Sequence, residues 1–143
     1  MELIQFQFLV GQTVMYCQII ENDIKLIYAL LKNGDFKTNL EEIKTNTLGN
    51  TIYELEELDN SDGRPYISSQ DYEYLKKIAG WRNHWCHEAY VNFMYEEDYL
   101  HSSQYLRECQ LLEKDNMELE RVYQAVEKVR FNLYEIRKKT RRR

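Results

Sequence analysis

Apolar residues return at seven-residue intervals near the start of the chain. Val10, Cys17, Ile24 and Leu31, joined by Val14 and Tyr28, mark one stripe of a helix predicted over residues 3–32, with Asn33-Gly34 as its stop. Glu21 falls on the same stripe. A carboxylate among core positions is costly unless paired, so Glu21 is expected to face a cation, a polar network or solvent at an interface. A second helix is predicted near residues 48–58, capped by Asn46 or Thr47 and carrying Leu48, Ile52, Leu55 and Leu58 at helical spacing. The turn-forming run Asp59-Asn60-Ser61-Asp62-Gly63-Arg64-Pro65 closes it.

Ser68-Ser69-Gln70-Asp71 supplies a capping signal for a third helix, whose apolar line passes through Leu75, Ile78, Ala79, Trp85 or Cys86, and Ala89. Arg82 lies seven positions after Leu75 and so returns to the core-facing direction. Its guanidinium is expected to meet a partner, a cleft or a subunit interface. Residues 91–101 show no sustained period and read as a connector with room for a short helical turn. A long last helix follows, in which Leu112, Leu119, Val122, Val126, Val129, Leu133 and Ile136 keep the spacing of a bundle seam while the other faces are charged.

These elements predict an all-α fold: an antiparallel four-to-five-helix bundle with four main helices, the first and last long enough to pack along their full length. One domain over residues 1–143 accommodates them. A single proline and five glycines are too few for the turns of a many-stranded sheet.

Charge and cysteine usage narrow the setting. The net charge is −5, although six of the last seven residues, in the tail 137–143, are basic. Such a tail is either a solvated helix end or a phosphate contact. Cys17, Cys86 and Cys109 are odd in number and widely spaced, which fits a reducing, cytoplasmic setting. Gln5, Gln7, Gln12 and Gln18 interrupt the apolar start, and Glu21, Asp23 and Lys25 follow it. The first helix is therefore expected to be a core helix and not a membrane anchor.

The segment Trp81-Arg82-Asn83-His84-Trp85-Cys86-His87-Glu88-Ala89-Tyr90 concentrates the candidate chemistry. Arg82, Asn83 and His87 form the pattern R-N-x-x-x-H late in the third helix, and on these residues the chain resembles the HEPN superfamily, small all-α bundles whose signature is arginine followed four to six residues later by histidine. The resemblance extends to the order of a long first helix, a short helix, the motif helix and a long last helix. It implies a metal-independent endoribonuclease working as a homodimer, with two motifs at one cleft, as a toxin or phage-defence effector held in check by an antitoxin. In the branch whose antitoxin is a nucleotidyltransferase, the motif continues H-x-Y and its tyrosine can be modified. Here Ala89 holds that position and the tyrosine, Tyr90, comes one later.

The residue types suit that reaction. Histidine can take a proton from a 2′-hydroxyl or give one to the leaving oxygen near neutral pH. Arginine can hold the phosphate with paired hydrogen bonds and stabilise its growing charge. Asn83, four residues before His87, would share its face on a regular helix and orient the ring or the phosphate. No cofactor is implied.

Other readings attach to the same residues. Arg82 and Glu21 can form a structural pair in a non-catalytic module that binds a partner protein or a nucleotide. His84 and His87 could share a metal only if a carboxylate or thiol joined them, and the sequence has none of the usual zinc spacings, so no metal is expected. Trp81, Trp85 and Tyr90 could stack RNA bases, although aromatic residues at helical spacing chiefly pack cores.

Overall fold

Helix α1 (Leu3–Leu31) opens the chain, followed by α2 (Phe36–Lys44) and α3 (Leu48–Asp59). Then come α4 (Ser69–Leu75), α5 (Ile78–Asn83) with a π turn over His84–Glu88, a 3-10 turn at Tyr99–His101, and the long α6 (Ser103–Arg141). This computed structural model describes residues 1–141, and among them there is no strand. Taking α4, α5 and the π turn as one broken helix, the fold is a five-helix bundle.

The caps explain several boundaries. The Thr47 hydroxyl accepts the Asn50 N–H at the start of α3, and the Ser68 hydroxyl accepts the Asp71 N–H at the start of α4. Helix α2 was not expected from the sequence. Only Asn39 and Ile43 of its nine residues are buried, but Phe36, Leu40 and Ile43 at i, i+4 and i+7 and the Asp35 cap on the Thr38 N–H were readable marks of it.

The two long helices run parallel and not antiparallel. The Tyr105 hydroxyl donates to the Met1 carbonyl, Asn116 donates to Gln12 and Thr13, Arg130 pairs with Asp23 at 3.1 Å, and Arg137 donates to the Ala29 carbonyl, so both chains rise together. The antiparallel order expected for neighbouring bundle helices fails for this pair because the segment between them returns the chain to its starting end. Arg137, the first residue of the basic tail, also reaches the Leu30 and Gly34 carbonyls. With Asn39, which donates to Ala29, Lys32 and Asn33, it satisfies carbonyls that the end of α1 leaves open. Arg142 and Arg143 lie outside the described residues.

Two apolar clusters fill the bundle. One joins Ile20, Ile24 and Ile27 of α1 to Leu55, Leu75, Leu119, Val122 and Val126. The other gathers Phe6, Val10, Trp85, Ala89, Phe93, Tyr105 and Leu112 around the π turn. Each such large apolar side chain contributes about 1.5–3 kcal/mol on burial. The loop after α3 is latched by Asp59, whose carboxylate accepts the Tyr66 and Ile67 N–H groups and the Tyr72 hydroxyl. By length and mean hydropathy alone, α1 is also able to cross a membrane, and only 33% of its most apolar window is buried.

Candidate functional site

Arg82 stands at the end of α5, where its Nη1 donates to Glu21 Oε2 of α1 at 2.5 Å. Both side chains are half-buried. The two residues that break their helices' apolar stripes thus answer each other. Beneath them lies the buried Cys17 thiol, pushed up to about 12 first by desolvation and then by the neighbouring Cys86, with Arg82 opposing.

The motif does not continue as a regular α-helix. Over His84–Glu88 the backbone widens into a π turn, closed by the Ala89 N–H on the His84 carbonyl at 2.9 Å. Such turns are rare and gather at functional sites. The relation of Asn83 to His87 is therefore set by the π turn and not by a regular α-helix, and both side chains are exposed. Arg82 stands in α5 just before the widening and His87 lies within it, so the five residues from Arg82 to His87 cross the junction of the two. Asn83, Cys86 and His87 are all exposed, and the His87 ring has no hydrogen-bond or ion-pair partner among the described residues.

What holds the π turn is a set of contacts to α6 that sequence reasoning missed. His84 Nε2 lies 2.7 Å from Glu108 Oε2, whose other oxygen accepts from Asn92 at 3.0 Å. Trp85 donates its indole N–H to Asp115 at 2.9 Å. Both carboxylates are buried, and burial raises the Asp115 carboxyl above its ordinary range, with the Trp85 hydrogen bond opposing. A signal was present: Glu108, Leu112, Asp115 and Leu119 follow 4-3-4 spacing, which puts two carboxylates on an apolar seam.

His84 is thereby turned inward, away from the exposed position of His87. No group of three His, Cys, Asp or Glu side chains is placed to hold a metal ion among the described residues. Tyr90 is half-buried, its ring edge-on to Phe6 at 5.5 Å, and burial raises its hydroxyl above the ordinary value. Trp85 is fully packed and Trp81 half-buried between the two clusters, so neither is laid open as a stacking platform. Compared with protein-family models, with curated proteins and with solved structures, the chain matches none.

The segment thus presents a cation positioned by Glu21, an exposed amide at Asn83 and an exposed, unpartnered imidazole at His87. Its chemical capacity is to grip an anion and move a proton beside it.

Proposed function

We propose that the protein is a metal-independent endoribonuclease of HEPN type, acting as a homodimer in the cytoplasm as the toxin of a toxin–antitoxin or phage-defence system. The observation that carries this reading is Arg82 held half-buried by Glu21, with the exposed, unpartnered His87 five residues on, inside the π turn. Arg82 grips the scissile phosphate, Glu21 aims it, and Asn83 orients the phosphate or the ring. His87 of one copy removes the 2′-hydroxyl proton while that oxygen attacks phosphorus. His87 of the second copy protonates the departing 5′-oxygen. The products are a 2′,3′-cyclic phosphate and a 5′-hydroxyl end. Control by an antitoxin, such as a nucleotidyltransferase acting on Tyr90, belongs to the same proposal. The half-burial of Tyr90 requires that its hydroxyl become accessible first.

The Arg82–Glu21 pair also favours a second reading, a non-catalytic HEPN-like module that binds a partner protein or a nucleotide. The deciding experiment is cleavage of a mixed RNA substrate in EDTA by wild type, His87→Ala and Arg82→Ala, with the ends mapped. Cutting that leaves cyclic phosphates and disappears in both folded variants supports the enzyme. No cutting by a folded, antitoxin-free dimer supports the module.

A further inference from the structure

Helix α1 carries a second seam, on the side away from the core. Met1, Ile4, Phe8, Gly11, Met15 and Gln18 follow each other at alternating three- and four-residue steps, the spacing by which one helix packs along another, and all are exposed. Ile4 is 72% and Phe8 69% exposed, and both line an open groove of about 620 Å³ against Glu113 of α6. The seam is separate from the motif: at ~100° per residue, Ile4 and Phe8 lie about 100–140° round α1 from Glu21.

As is also true of Gly49 and Gly80, nothing in the single chain requires glycine at position 11, in the middle of this seam. A Cβ there would meet nothing within 4 Å, and its backbone needs no glycine. Glycine inside a helix weakens it, and its use is to let another backbone come close. Electrostatics point to the partner. Charged residues make up 30% of the chain, yet the stretch 3–20 contains none. Only residues on a two-fold axis meet their own copy, and α1 around Gly11 carries no charge that would face itself there. An anionic surface suits the groove poorly, given Glu113 on its wall and a net charge of −5.

We infer that this seam is a self-association surface, on which a second copy of the chain lays its own α1 antiparallel, crossing at Gly11. A two-fold axis there sets Phe8 of each copy against Met15 of the other, a sulfur–aromatic contact. With Met117 and Leu106 of α6, which are 71% and 59% exposed, the side chains around the seam offer apolar area on the order of 700 Å² per copy, near the ~800 Å² per partner of a stable interface. The inference does not rest on the nuclease reading. The seam lies on another side of α1 from Glu21 and its partner Arg82, so motif-to-motif pairing would add a second interface and give a tetramer.

The test is the assembly mass of the full chain, by native mass spectrometry and light scattering, for wild type, the double variant Ile4→Glu/Phe8→Glu, and Gly11→Arg. The last substitution has open space in the single chain and replaces a weak helix former, so it separates lost association from lost folding. The expected result is that both variants keep the wild-type helical spectrum and fall to half its assembly mass. A wild-type monomer, or a mass unchanged in both variants, overturns the inference. So does a wild type that stays monomeric and sediments with phosphatidylcholine–phosphatidylglycerol vesicles, which would make α1 a membrane-facing helix. RNA cleavage by the half-mass species is read separately and bears only on the nuclease proposal.

Discussion

Arg82 and Glu21 are 61 positions apart in the chain and 2.5 Å apart in the fold. Each is the one charged residue on an otherwise apolar helical stripe, and the two are half-buried together, so removing either leaves the other without its partner. A double-mutant cycle of Glu21→Ala and Arg82→Ala, read by urea unfolding, is expected to give a coupling of about 1–2 kcal/mol. In the nuclease reading, Glu21→Gln also lowers cleavage in a chain that stays folded, because the guanidinium is no longer aimed. Unchanged cleavage by Glu21→Gln would remove Glu21 from the site.

Asp59 is expected to be the most sensitive polar position in the fold. Its buried carboxylate takes three donors, two from the loop backbone and one from Tyr72, and Asp59→Ala strands all three. The expected loss is about 3 kcal/mol, against about 1 kcal/mol for Tyr72→Phe, which gives up one bond and leaves the other two. Urea midpoints check the ratio. Equal losses would mean that the latch on the loop contributes little.

The long elements were legible because their periods are long. Val10, Cys17 and Ile24, and again Leu112, Leu119, Val122, Val126 and Leu133, are buried where the spacing put them. The cap at Thr47 and the turn run after Asp59 placed α3 correctly. The third helix was read as continuous, but it breaks at Lys76 and Lys77 and then widens at His84. That widening is fixed by Glu108 and Asp115, which are more than twenty positions away, so no local pattern contains it. Trp85 takes the core position that spacing left open between it and Cys86, since its indole has Asp115 to meet. The pairing of Glu21 with Arg82 was open to inference from two misplaced charges, whereas the inward turn of His84 was not.

Asp115 gives the fold a pH dependence of known sign. Burial raises its folded carboxyl above the ordinary 3.8, so the folded chain holds that proton more tightly than the unfolded one. The contribution is fully present below 3.8 and is lost as pH rises through the raised folded value. Asp115→Asn keeps an oxygen for the Trp85 indole and removes the buried charge. It is expected to be at least as stable as wild type at neutral pH, with the difference shrinking in acid. Urea midpoints across pH measure this, and a variant weaker at neutral pH than in acid would reverse the sign.

Thiol chemistry reads the same region independently. Cys17 and Cys109 are buried and burial raises both thiols, while Cys86 is exposed on the π turn. One thiol per native chain is expected to react quickly with a disulfide reagent, and Cys86→Ser is expected to abolish that phase. Two fast thiols would mean that the packing around Cys17 or Cys109 opens readily.

The parallel pairing of α1 and α6 sets a timetable for the chain as it leaves the ribosome. Met1 meets Tyr105 across 104 positions, and the contacts higher up the pair span similar distances. At about 5–20 residues per second, α1 waits on the order of 5–20 s before its covering helix is synthesised. During that interval the most apolar segment of the protein has neither of its faces covered by α6. Nascent α1 is thus a target for chaperones that hold apolar helices, and crowding of polysomes would bring its uncharged stretches together before any bundle exists.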